Sequence, residues 1–128
     1  MKRLMALAVS LALAFGLAAA ITSPAQAAEV PPASCPYNYV CGYVNTGYHT
    51  DQGYEITYNQ PAGTCEVVAF RNAWSGFFNN TGRTKRLYRN TSCTGTDYKT
   101  FLPRTGRYQF SVQLGITWDN SVDAVYYG

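Results

Sequence analysis

Between residues 4 and 21 the chain is apolar at every position except Ser10. Lys2 and Arg3 precede this run, and the small-x-small triplet Ala25-Gln26-Ala27 follows it. A basic start, an apolar centre and a small-residue site make a secretory signal peptide over residues 1–27, cut between Ala27 and Ala28. A membrane anchor of this length would carry a basic flank after the run, and none follows.

Beyond residue 28 the pattern changes. Residues 28–34 form a Pro-rich, flexible lead. From residue 35 onward the hydrophobic positions come in short runs. Stretches 40–44, 55–58, 66–70, 85–89, 98–102, 108–112 and 122–127 have strand length and are rich in Val, Tyr, Phe and Thr. Thr46-Gly47, Pro61-Ala62-Gly63, Thr81-Gly82, Thr94-Gly95 and Thr105-Gly106 supply turn signals between them. No stretch after Ile21 keeps a helical period. Short strands at this spacing predict an all-β, antiparallel sandwich of about eight strands.

The pattern also repeats. Tyr43-Val44-Asn45-Thr46-Gly47-Tyr48-His49-Thr50 is echoed 45 residues later by Tyr88-Arg89-Asn90-Thr91-Ser92-Cys93-Thr94-Gly95. The segment starting Arg71-Asn72-Ala73-Trp74-Ser75 is echoed 48 residues later by Asp119-Asn120-Ser121-Val122-Asp123. Two signatures in the same order, at nearly the same offset, point to one four-strand unit used twice. The halves would be Greek keys over about residues 35–80 and 81–128 of a single domain, residues 35–128.

Removal of the signal peptide leaves 101 of 128 residues, enough for one thin core. Loss of Lys2 and Arg3 leaves eight basic residues against seven acidic, a charge near +1. That balance gives no electrostatic basis for nucleic-acid binding. Four cysteines in an exported chain imply two disulfides, with three connectivities open. Cys35 and Cys41 could close a local clasp, which would leave Cys65–Cys93 as a long staple. Zinc is disfavoured, because there is no Cys-x-x-Cys and His49 is the only histidine.

Tyr43-x4-Tyr48-x-Thr50 and Tyr88-x4-Cys93-x-Gly95 resemble the aromatic-x4-aromatic-x-Gly hairpin of βγ-crystallin domains. In that family the Gly takes a positive φ and a later Ser tucks against the hairpin. Gly95 and Ser75 match these positions; Thr50 and Asp123 depart from them. Within that group the chain is similar to the secreted bacterial peptidase inhibitors of family I36. The likeness rests on Ser34-Cys35-Pro36, Val40-Cys41, Phe78-Asn79-Asn80-Thr81, Leu87-Tyr88-Arg89-Asn90, Cys93-Thr94-Gly95 and Trp118-Asp119-Asn120. It spans about residues 34–127.

The resemblance implies a βγ-crystallin-like sandwich of two Greek keys. It implies a secreted, extracellular inhibitor of thermolysin-type metallopeptidases; separately, the chain is expected to be a monomer with no membrane contact after signal cleavage. It places the inhibitory loop at Ser92, Cys93, Thr94 and Gly95 in the second key. The alternatives are a non-inhibitory βγ-crystallin-like binding module and a toxin-like antimicrobial protein.

Microbial βγ-crystallins often bind calcium through an Asn/Asp pair and a Ser/Thr in each key. Calcium needs six to eight oxygens, so two segments must pool ligands. Asp119, Asn120 and Asp123 keep the pattern, while Arg71 replaces an acid in the first segment. Weak calcium binding or none follows, with a structural Asx loop as the stronger reading.

No catalytic residues are assigned and an enzyme is not expected. His49 beside Asp51 reads as a solvated turn, and Glu55 with Glu66 as an ordinary pair on a β domain. The basic residues Arg83, Lys85, Arg86 and Arg89, with Arg104 and Arg107, read as the charged guard of an edge strand. Trp74, Phe77, Phe78, Tyr108, Phe110, Trp118, Tyr126 and Tyr127 read as core filling. The glycosylation-like triplets starting at Asn79 and Asn90 read as turns.

Overall fold

The computed structural model describes residues 30–128. The signal peptide and cleavage point expected from the sequence lie outside those residues. Eight strands run in chain order: β1 Tyr39–Tyr43, β2 Tyr54–Tyr58, β3 Cys65–Val67, β4 Gly76–Asn79, β5 Lys85–Tyr88, β6 Tyr98–Phe101, β7 Thr105–Arg107 and β8 Ala124–Tyr127. One short helix, α1, covers Phe110–Gln113.

The strands form two four-stranded sheets, ordered β2-β1-β4-β7 and β3-β8-β5-β6. Every pairing is antiparallel. Each half gives three strands to one sheet and lends its third strand to the other. Thus β3 pairs β8, and β7 pairs β4. This exchange closes two Greek keys into one sandwich.

The repeat in the sequence is a repeat in the backbone. Tyr48 and Cys93 both adopt a left-handed φ, 58° and 51°. Asn72 and Asn120 do likewise, at 55° and 52°. The Asn72 N–H donates to the Val122 carbonyl, and the Asn120 N–H returns the bond to the Trp74 carbonyl, each at 3.0 Å. The Ser75 N–H donates to Tyr43 and the Asp123 N–H to Tyr88, at 2.7 and 2.9 Å. Asp123 therefore does the work of the first key's Ser75, through its main chain. At the third position of the echo, Gly95 has φ +81° whereas Thr50 does not adopt a positive φ. The first hairpin is one residue longer and turns at Gly53 (φ +118°) instead.

Between the sheets lie Val40, Trp74, Phe77, Leu87, Phe101, Phe110, Trp118, Val122, Val125 and Tyr127. A second apolar cluster sits outside the first sheet: Cys35, Cys41, Tyr43 and Phe78, with Tyr39 and Tyr48 against it. Side chains alternate across the sheet, so β1 sends Val40 inward and Cys41 and Tyr43 outward. Trp74 lies flat on Gly42, where any Cβ would stand 1.9 Å from its ring.

Three expectations need correction. Strand β4 escaped the sequence reading because it is buried on both faces: Phe77 enters the inter-sheet core and Phe78 the outer cluster. Such a strand shows no polar alternation. Thr105-Gly106 is not a turn but part of β7, where Gly106 packs against Phe78 and Tyr48. The strand expected over 108–112 is instead the approach to α1 and most of α1 itself. Phe110 is fully buried there, and the Gln113 side chain accepts the Gln109 N–H at 3.1 Å.

Two run ends also differ. Past Val67 the strand stops because the Ala69 and Phe70 N–H groups donate to the Glu55 carboxylate rather than to a ladder. And β5 is not an edge strand: it lies between β8 and β6.

Candidate functional site

Both disulfides pair as expected, Cys35–Cys41 and Cys65–Cys93. Cys35–Cys41 clasps the chain start onto β1. Cys65–Cys93 ties β3, at the edge of the second sheet, to the loop between β5 and β6. On β3 Glu66 faces inward and accepts a hydrogen bond from the Tyr127 hydroxyl at 2.7 Å. Its neighbour Cys65 therefore faces outward. The β5–β6 hairpin must fold back over the outside of its own sheet to reach it.

The first key folds its hairpin back in the same way. There the lid is Tyr48, 5.2 Å from the Tyr43 ring and 5.8 Å from Phe78. In the second key the equivalent position, Cys93, is held by a covalent bond instead.

Ser92, Thr94 and Gly95 are exposed, and Cys93 is half-buried by its disulfide. The four candidate residues thus form one convex turn. Its interior is organised by Asn90, which the sequence placed in a turn without showing that it holds the loop. The Asn90 Oδ1 accepts from the Ser92 N–H at 3.2 Å, the Ser92 hydroxyl at 3.1 Å and the Thr94 N–H at 3.3 Å. Its Nδ2 donates to the Thr94 carbonyl at 3.0 Å. The Ser92 and Thr94 hydroxyls lie 3.1 Å apart.

A second tether closes the base of the turn. The Arg89 Nε donates to Asp97 at 2.8 Å, and the same guanidinium reaches the Thr117 carbonyl at 3.0 Å. It also stacks 5.2 Å over the Trp118 ring. The Asn two residues before a Ser was the one available signal for this architecture, as an Asx turn.

The other sequence candidates are dispersed. Lys85 is buried between the sheets, 5.1 Å over the Tyr127 ring, while Arg86 faces outward over Tyr98. Arg89 is engaged by Asp97, so these cations do not make one patch. Glu55 caps a loop and Glu66 holds Tyr127. His49 is exposed ahead of β2. Asn79 is buried, donating to the Arg83, Phe101 and Leu102 carbonyls. Of the aromatics, Tyr108 is exposed and Tyr126 half-buried; Phe78 lines the outer cluster, and the rest fill the core.

The reciprocal bonds hold the two Asn segments, which carry the calcium candidates, side by side. Asp119 and Asn120 stand by Trp74 and Ser75, with the Ser75 hydroxyl 3.4 Å from the Asn120 Oδ1. The Asp123 carbonyl accepts the Val68 N–H at 3.1 Å, and the carbonyl of its neighbour Val122 accepts from Asn72. Among the described residues no group of three or more His, Cys, Asp and Glu gathers. One oxygen of Asp119 is buried without a partner, but a single carboxylate does not make a calcium cage.

Peptidase inhibitor family I36 matches residues 28–100, more than half of the chain. The chain belongs to this family. An I36 chain carries a peptidase inhibitor role, and the matched range includes the whole β5–β6 loop. The fold agrees with a solved structure described as "Evolution of the eye lens beta-gamma-crystallin domain fold". It has 8% identity and a TM-score of 0.55 over 77% of this chain and 91% of that one. The N-terminal domain of protein S is also similar, at 17% identity and a TM-score of 0.46 over 69% and 92%. No curated protein matches this I36 chain. Among the described residues no helix is long and apolar enough to cross a membrane.

Proposed function

We propose that this I36 protein is a secreted inhibitor that blocks thermolysin-type metallopeptidases with the loop Ser92-Cys93-Thr94-Gly95. The observation carrying this reading is that the loop is both exposed and held at three points. The Cys65–Cys93 bond, the Asn90 amide and the Arg89–Asp97 pair each fix part of it. A loop already ordered in its bound shape loses little conformational freedom on docking, so more of the contact energy appears as affinity. A flexible loop of the same sequence would be a substrate.

Export is supported by the amino-terminal pattern and by two disulfides, which persist in oxidising compartments. The thermolysin class comes from the family resemblance. The deciding experiment is titration of the mature chain against a thermolysin-type enzyme, with a serine peptidase as control. Loss of activity at near-equimolar ratio in the first assay alone is expected. Full activity at large excess overturns the assignment.

A further inference from the structure

The inhibitory reading leaves one question open: what keeps the loop from being cut and released. Resting on that reading, we infer that Asn90 is the positioning residue that makes cleavage of the loop futile.

Asn90 meets the loop on both sides of the bond from Cys93 to Thr94, through the Ser92 N–H and hydroxyl before it and through Thr94 after it. Its Oδ1 accepts the Thr94 N–H, and that nitrogen belongs to the Cys93–Thr94 peptide. Its Nδ2 holds the Thr94 carbonyl one peptide further on. On the other side, Cys93 is anchored to Cys65. Cys93 itself sits at φ 51°, an unfavourable backbone for a non-glycine residue.

Hydrolysis of this bond adds one water, giving a Cys93 carboxyl and a Thr94 amine. Neither new end could leave. The carboxyl side stays on Cys65 through the disulfide. The amine side stays under the Asn90 amide, whose oxygen accepts from the new amine as it did from the peptide N–H. While the chain stays in the peptidase's cleft, that enzyme catalyses the reverse step, and ends held in contact rejoin with loss of the same water. Intact and cut chains then share one bound geometry, and the peptidase remains occupied.

Asn90→Ala removes the amine-side tether and leaves the covalent one. The experiment mixes each chain with a thermolysin-type peptidase and follows three readouts. These are the inhibition constant, the ratio of cut to intact chain by mass spectrometry, and the melting temperature. The ratio is approached from both intact and pre-cut chain. Wild type should settle mostly intact, while Asn90→Ala should shift the ratio toward cut and weaken inhibition, each by about tenfold or more. A role in folding alone would move the melting temperature and leave the ratio unchanged.

Should Asn90→Ala fold poorly, Asn90→Asp carries the test. It keeps the acceptor and loses the donation to Thr94, so an intermediate ratio is expected. A wild-type ratio and inhibition constant in a folded variant overturn the inference while the inhibitor assignment stands. Absence of inhibition by the wild-type chain overturns both.

Discussion

Lys85 is a charged side chain in a place built for apolar ones. It faces the inter-sheet space beside Leu87, over the Tyr127 ring, with its Nζ 3.3 Å from the Arg83 carbonyl. Burial, with the Arg83 cation adding to it, lowers the ammonium from its usual 10.5 to about 8. The folded chain therefore sheds this proton at lower pH than the unfolded chain does. Between pH 8 and 10.5 the unfolded state binds more protons, so stability rises with pH. Tyr127 and Tyr43 act oppositely. Burial raises both phenols, so above about pH 10 the unfolded chain ionises first and stability falls. Lys85→Met should raise the melting temperature at pH 7 by a few degrees and remove the rise above pH 8. The Arg83 carbonyl keeps Asn79 and Thr81 as donors, so nothing is orphaned. Thermal melts from pH 6 to 10 check this; an unchanged pH profile contradicts it. The sequence gives no sign of this burial, because Lys85 in a charged run reads as solvated.

At the scale of elements, the two hairpin lids are the same device built differently. Tyr48 covers the first sheet by ring packing, and Cys93 covers the second by a disulfide. Replacing Cys65 and Cys93 together by Ser should cost about 3–4 kcal/mol by loop-closure entropy. It should also turn the loop into a substrate. Denaturant melts test the first part, and timed digestion with the target peptidase the second; a loop that stays uncut would contradict it. In the opposite sheet, β1 and Trp74 depend on Gly42 having no side chain. Gly42→Ala should destabilise by about 1–3 kcal/mol, at the upper end, since the ring must shift within a packed core. Circular dichroism melts decide; a loss under half a kcal/mol, roughly the effect of a surface change, would mean Trp74 can move. Strands with one buried face were legible from alternation. Strand β4 was not, because Phe77 and Phe78 are both buried, and β7 was not, because Thr105-Gly106 has a turn's composition.

For the whole molecule, the repeat was the most informative feature of the chain. The offsets of 45 and 48 residues reappear as matched left-handed residues and reciprocal hydrogen bonds across a two-key sandwich. The disulfide pairing was also within reach, since a close Cys pair leaves only one partner for each of the others. The Thr94-Gly95 turn was legible in the sequence, but the loop's support was not. Asn90, Arg89 and Asp97 converge only once β5 and β6 are paired and Trp118 has closed against them. The two hairpins are asymmetric: one has an aromatic lid, and the other a covalent one that leaves its tip exposed. The most direct test is an active-site titration of a thermolysin-type metallopeptidase with the mature protein. The account predicts a linear fall in activity to near zero at about one inhibitor per enzyme, with the Cys65–Cys93 bond intact. Undiminished activity in large excess of folded protein would contradict it.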